Sequence, residues 1–207
     1  MEIEYCFSIS KDKITLEPER QIGSFKLVKI EHKHILDILI EREIISLTSE
    51  KIGVRLRKTN NENEFTYKRF LGLDNGAMKY DEVTEPVSDL VFNNFLTGKI
   101  ELFNQTLKNL ARKGKLYPLL TIKNSRQVIL YKNETSTVEV DIEGLEYLSL
   151  SNHHTAQDAI LEIEIIQGKN LNEITKLIDY FKTTYSATTT NEGKNTRACR
   201  LLGIVTP

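Results

Sequence analysis

Residues 160–166 read Ile-Leu-Glu-Ile-Glu-Ile-Ile, with apolar and acidic positions alternating. A period of two marks a strand, whose successive side chains point to opposite faces. Glu162 and Glu164 therefore share one face, and Leu161, Ile163 and Ile165 the other. The same alternation recurs outward along the chain. Val138-Glu139-Val140-Asp141 carries two acids on one face, and Val54-Arg55-Leu56-Arg57 carries two arginines. In Glu2-Ile3-Glu4-Tyr5-Cys6-Phe7, Glu2, Glu4 and Cys6 oppose Ile3, Tyr5 and Phe7. Each charged face thus repeats one sign. A face merely wetted by solvent would mix signs, because cross-strand pairs are worth roughly 0.2–1 kcal/mol and like charges oppose each other. Single-sign faces fit an enclosed surface with an acidic wall and a basic wall around a ligand. Grouped carboxylates suit a hard divalent cation such as Mg²⁺ or Mn²⁺. Grouped arginines and lysines suit phosphate oxygens.

Alternation predicts strands over 2–10, 43–48, 53–59, 64–72, 79–85, 119–123, 126–132, 137–143 and 160–166. Turn-type residues separate many of them, such as 60–63 and Asn124-Ser125, so the pattern reads as an antiparallel meander. Helical periodicity appears over 31–40, over 88–113 and over 171–185. Ser88 is a cap for the second, Gly98 splits it in two, and Gly114 ends it. In the third, Asn170 followed by Glu173 resembles a capping box, and Ile174, Leu177, Ile178 and Phe181 form an apolar stripe. These stripes read as core packing.

The 207 residues carry 28 basic and 29 acidic side chains, a formal net charge of −1. That balance argues against bulk, charge-driven nucleic-acid binding, while leaving room for a local basic site balanced by acids. The length suits one domain over 1–207, large enough to bury a core without staples. No apolar run reaches the roughly 18–20 residues of a membrane span, and no basic-then-apolar leader opens the chain. Cys6 and Cys199 lie far apart, without metal or redox spacing, so a cytoplasmic, thiol-reduced setting is expected. His32, His34, His153 and His154 have no acidic or cysteine partner at ligand spacing, and read as solvated or capping groups.

Taken in order, these motifs resemble the CYTH superfamily, the triphosphate tunnel metalloenzymes. The family opens on an EIExK strand, here Glu2-Ile3-Glu4-Tyr5-Cys6. An RxR strand follows, here Arg55-Leu56-Arg57, and then TxK, here Thr66-Tyr67-Lys68. Glu82 and Glu85 are loose candidates for its next acids. Arg126, with Lys123 nearby, stands for its KxR hairpin. Glu139 and Asp141, then Glu162 and Glu164, stand for its acidic strands, and Lys194 for its late lysine. The departure is Cys6, where the family carries a lysine, and Lys123 is the candidate to replace that cation.

The resemblance implies an α+β fold, an antiparallel eight-stranded β-barrel flanked by helices. It implies a triphosphate or nucleotide bound in the tunnel and hydrolysed with Mg²⁺ or Mn²⁺. Metal ligands would come from Glu2, Glu4, Glu139, Asp141, Glu162 and Glu164. Phosphate contacts would come from Arg55, Arg57, Lys68, Lys123, Arg126 and Lys194. Glu2, Glu4 and Lys68 would be the catalytic set. A nucleotide cyclase of the class IV adenylate cyclase type and a non-catalytic triphosphate sensor are the alternatives. A homodimer is left open.

Overall fold

A computed structural model describes residues 2–60, 62–168 and 171–204. The chain runs β1 (Glu2–Ser8), β2 (Gln21–Ile22), β3 (Phe25–Arg42), β4 (Ile52–Thr59), β5 (Glu62–Asp74) and β6 (Ala77–Pro86). Two helices follow, α1 (Asp89–Leu96) and α2 (Gln105–Ala111). Then come β7 (Leu116–Lys132), β8 (Thr137–Ser149), β9 (Thr155–Gln167), α3 (Leu171–Thr184), β10 (Thr188–Thr189) and α4 (Lys194–Leu201).

Eight strands pair in the order β1-β6-β5-β4-β3-β7-β8-β9, all antiparallel, and β9 returns to β1. The sheet therefore closes into a barrel with no free edge among these strands. The short β2 and β10 pair with β3 and β1. Among the described residues, no helix is long and apolar enough to cross a membrane.

Most of the barrel is apolar outside and charged within. Val138, Val140, Ile142, Leu161 and Ile163 pack outward against Ile174, Leu177, Ile178, Phe181 and Tyr185 of the α3 region. Val54, Leu56 and Phe65 pack outward against Phe92 and Phe95 of α1 and Leu107 and Leu110 of α2. Burying these apolar rows under helices is the main favourable term holding the barrel. The inward face turns apolar toward one end, at Leu39, Leu120, Ile122, Leu145, Tyr147 and Ile160. There α4 packs Ala198, Cys199 and Leu202 onto it. Arg197 anchors α4 through two 2.8 Å bonds to Asp158 of β9 and one of 2.7 Å to Ser8 of β1.

Several expectations hold and three are corrected. Ser88 Oγ accepts from Val91 N–H at the start of α1, and Gly98, at φ +81°, follows its end. The predicted helix over 31–40 is instead part of β3. Its Ile-rich run is bonded on both sides, to β4 and β7. An apolar run broken only by the buried Asp37 mimics a helical stripe, and periodicity alone does not separate the two. The predicted strand over 43–48 is a turn gathered round the Glu41 carboxylate, which accepts from the Ser46 hydroxyl at 3.1 Å and from the Leu47 and Thr48 amides. The predicted turn at Asn124-Ser125 lies inside one unbroken strand, β7. Asn124 points inward there and donates to Glu143 at 2.7 Å. Asn170, the expected cap, and Asn61, in the expected turn, lie outside the described residues.

Candidate functional site

Strand register sets which side chains meet in the barrel. Glu4 of β1 sits opposite Glu164 of β9, and Glu164 sits opposite Glu139 of β8. One step along, Cys6 is opposite Glu162, and Glu162 opposite Asp141. Three neighbouring strands therefore build an acidic wall. Arg55 and Arg57 of β4 and Lys68 of β5 build a basic one, with Arg126 of β7 and Lys194 of α4 completing it. A cavity of about 280 Å³ lies between the walls and is lined by all of these residues except Cys6.

The walls pair with each other. Lys68 Nζ lies 3.0 Å from both Glu2 and Glu4 and 3.7 Å from Glu82. It also sits 4.1 Å above the Tyr80 ring centroid. Lys194 bridges Glu143 at 2.8 Å and Glu162 at 2.7 Å. Arg126 reaches Asp141 at 2.5 Å and Glu143 at 2.8 Å. Arg57 grips Asp37 with two 2.8 Å bonds. Lys33, at the rim of the cavity, lies 3.9 Å from Glu31. Arg55 alone among the described lumen cations has no carboxylate within ion-pair reach, and its buried Nε has no hydrogen-bond partner. Thr66 Oγ1, Arg126 Nε and Asp141 Oδ1 are buried without partners as well.

Titration follows this crowding. Burial, reinforced by Glu4 and opposed by Lys68, pushes Glu2 up to about 9. Burial pushes Asp141 up to about 7, with Glu143 and Glu139 adding to it against Arg126. Burial, Glu139 and Glu4 likewise raise Glu164. Burial opposes the charge on Lys68, but Glu4 and Glu2 outweigh it and hold the ammonium above the ordinary lysine range. Burial and the neighbouring Arg57 lower Arg55. Several carboxyls of the acidic wall thus keep a proton to higher pH than an ordinary carboxylate, and on the basic wall Arg55 stands without a direct ion pair.

Glu2, Glu4, Glu162 and Glu164 come together in one cavity although about 160 residues separate the pairs. Glu139, Asp141, Arg55, Arg57, Lys68, Arg126 and Lys194 join them. Lys123 does not, and its expected place at the site is corrected. On β7, Asn124 and Arg126 take the inward face, so a period of two turns Lys123 outward into solvent. It lines an outer hollow with Lys58 and Glu146 instead. Cys6 faces inward, packed with Met78 and Tyr80, and no cation replaces the missing lysine from the direction of Lys123. Burial, with Glu162 and Glu4, pushes the Cys6 thiol well up, which disfavours the thiolate.

Sequence reasoning missed Asp37 and Glu143. Glu143 continues the alternation of Glu139 and Asp141 by one step. One carboxylate oxygen each from Asp141, Glu143 and Glu162 lie within 4.8 Å of one another. Glu143 is fully buried and already accepts from Arg126, Lys194 and Asn124, so it fixes the basic residues in place. The donor set of the wall as a whole is carboxylate oxygen, and Asp141 Oδ1 has no partner. Both features fit a hard divalent cation.

A closed barrel with an acidic wall facing a basic one is the architecture of a triphosphate tunnel. The family model described as the CYTH domain matches residues 1–188, and the chain belongs to that family. Solved structures share the fold. A candidate adenylate cyclase from Bacillus halodurans is 18% identical with a TM-score of 0.64, covering 95% of this chain and 96% of its own. A candidate adenylyl cyclase from Hippeastrum, described by its dominant triphosphatase activity, is 16% identical with a TM-score of 0.66, covering 100% and 98%. The mimivirus capping enzyme triphosphatase is 16% identical with a TM-score of 0.50, covering 87% and 88%. At these identities the likeness is one of fold. No curated protein matches the chain in sequence.

Proposed function

We propose that the chain, as a single domain over 1–207, is a divalent-metal-dependent triphosphatase that binds its substrate across the barrel lumen. The observation that supports this most directly is Arg55. A guanidinium in the tunnel without a direct ion-pair partner is costly, and a bound phosphate chain would supply one. The unpartnered donor Arg126 Nε lines the same cavity as Arg55 and would bond phosphate oxygens, and Thr66 Oγ1 lines the cavity that adjoins it. Arg57, Lys68 and Lys194 complete the cationic surface. Glu2, Glu4, Glu139, Asp141, Glu162 and Glu164 would hold Mg²⁺ or Mn²⁺. The bound cation would neutralise charge on the phosphates and polarise the terminal phosphoryl group.

The chain's own contribution is positioning. Lys68 stands at the meeting of the two walls, held by Glu2 and Glu4, where it can follow charge on the phosphate chain. The barrel walls surround the lumen with low-dielectric protein and strengthen each of these charge contacts. The test is a phosphate-release screen of tripolyphosphate, ATP, GTP and thiamine triphosphate with Mg²⁺ and with Mn²⁺. Orthophosphate as product supports the hydrolase. Pyrophosphate with a cyclic nucleotide would make it a cyclase, and tight binding without turnover would make it a sensor.

A further inference from the structure

A second cavity, of about 290 Å³, joins the charged lumen and shares Glu4, Arg55, Lys68, Glu162 and Lys194 with it. Away from that junction its lining changes character. Phe70, Met78 and Tyr80 come from β5 and β6. Asn191 comes from the segment that leads into α4, and Asn195 from the first turn of α4. The Phe70 and Tyr80 rings meet edge to face, with centroids 5.6 Å apart. Gly53 keeps the space open, because a Cβ there would come within 3.0 Å of Asn195 Nδ2.

A bare inorganic phosphate chain has no use for aromatic and thioether walls. A planar heteroaromatic ring does: its faces lie on apolar groups, and its edge exchanges hydrogen bonds with amides. Charge narrows the class further. Lys51 Nζ lies 5.5 Å from the Phe70 centroid and Lys68 Nζ 4.1 Å from that of Tyr80. Two ammonium groups already attend these rings and would repel a cationic ring such as a thiazolium. The carboxylates at the junction, Glu4 and Glu162, are engaged by Lys68 and Lys194.

We infer that this cavity takes the uncharged, hydrogen-bonding base of a nucleoside triphosphate, with Phe70 and Asn195 as specificity-determining residues. The inference rests on the lumen holding the triphosphate. Equilibrium titrations in magnesium-free buffer with EDTA test it, with tripolyphosphate, ATP, GTP and thiamine triphosphate as probes. ATP or GTP is expected to bind at least about tenfold more tightly than either tripolyphosphate or thiamine triphosphate. Phe70→Ala and Asn195→Ala are each expected to lower the nucleotide-to-tripolyphosphate affinity ratio at least about fivefold. Tripolyphosphate binding as tightly as both nucleotides would overturn the base site and leave the lumen reading standing. So would tighter binding of thiamine triphosphate, or an affinity ratio unmoved by both variants. Failure of tripolyphosphate and both nucleotides to bind in EDTA, together with no phosphate release from any of them with Mg²⁺ or Mn²⁺, would overturn the lumen reading and the base site with it. Should Phe70→Ala not fold, Asn195→Ala in the first turn of α4 carries the test.

Discussion

Replacing Arg55 by glutamine separates a binding residue from a structural one. The contrast is with Arg57, two positions along the same strand and on the same face. Arg57 holds Asp37 through two 2.8 Å bonds inside the barrel. Removing it strands a buried carboxylate, at a cost of about 3–5 kcal/mol. Arg55 has no such partner. Its loss relieves an uncompensated charge, so Arg55→Gln should be neutral in stability or stabilising by about 1–2 kcal/mol. Phosphate binding moves the other way. A charge-assisted hydrogen bond contributes about 1.5–3 kcal/mol, so triphosphate affinity should fall about ten- to hundredfold. Thermal denaturation with and without tripolyphosphate reads both effects. At a ligand concentration of about 100 times its Kd, the natural chain gains about 2.7 kcal/mol. A variant binding about fiftyfold more weakly gains about 0.6 kcal/mol at the same concentration. At about 2–4 °C per kcal/mol, the ligand-induced rise should shrink from about 5–10 °C to about 1–3 °C. Two results would refute the reasoning. Arg55→Gln might melt as early as Arg57→Gln, which would make Arg55 a structural residue. Or it might keep the full ligand-induced rise, which would place the phosphates elsewhere.

Glu164→Ala should cut phosphate release at least about a hundredfold, because it removes one carboxylate from the in-register row with Glu4 and Glu139; full turnover in excess EDTA would defeat the metal requirement. Asp37 gives a pH signature: burial opposes its charge, yet Arg57 outweighs burial and holds it at about 2 against an ordinary 3.8. A depressed carboxylate stabilises the fold above its unfolded value, so roughly 2.5 kcal/mol present at neutral pH should be lost as pH falls from about 4 to 2. Urea denaturation across that range should show the loss in the natural chain, and Asp37→Asn should flatten that part of the profile. Cys6→Lys forces a longer side chain into space filled by Met78 and Tyr80, and should lower the denaturation midpoint by the equivalent of about 1–3 kcal/mol. An unchanged midpoint together with tighter tripolyphosphate binding would show that the lumen has room for the cation.

The charged walls were legible because strand alternation is a local property. Glu162 and Glu164, or Arg55 and Arg57, announce their shared face within five residues. What met what across the barrel was not local. The pairing of Glu4 with Glu164 and Glu139 depends on register between strands far apart in the chain, and only the resemblance to a family connected them in advance. Misreadings came where local signals were ambiguous. The run over 35–40 has apolar residues at both helical and strand spacings, and burial on two faces hides the alternation. Asn124 and Ser125 are common in turns, but Asn124 is spent on Glu143 inside a strand. Lys123 followed from that error. Splitting β7 in two detached it from the alternation that fixes Arg126 inward and therefore Lys123 outward. The aromatic cavity was not legible either, because Phe70, Tyr80 and Asn195 lie on three elements and share no motif.

The barrel can carry so many unsatisfied charges because its stability is built elsewhere. Val140, Ile142, Leu161 and Ile163 have no solvent exposure and lie beneath α3, on the outward face of the strands that carry the acids. Residues 138–143 of β8 and 161–165 of β9 thus alternate between two tasks. One side chain buries area against a helix, and the next supplies a carboxylate to the lumen. The outer packing holds the strands in register whatever the inner charges cost. That is what allows Glu4, Glu164 and Glu139 to stand side by side, where like charges oppose folding. Such a row carries a standing penalty that a bound cation removes, and Arg55 carries one that a bound anion removes. The two penalties lie across one cavity and are relieved together by a metal bound to a phosphate chain. A metal–triphosphate complex should therefore bind more tightly than either component alone, with binding of each strengthening binding of the other.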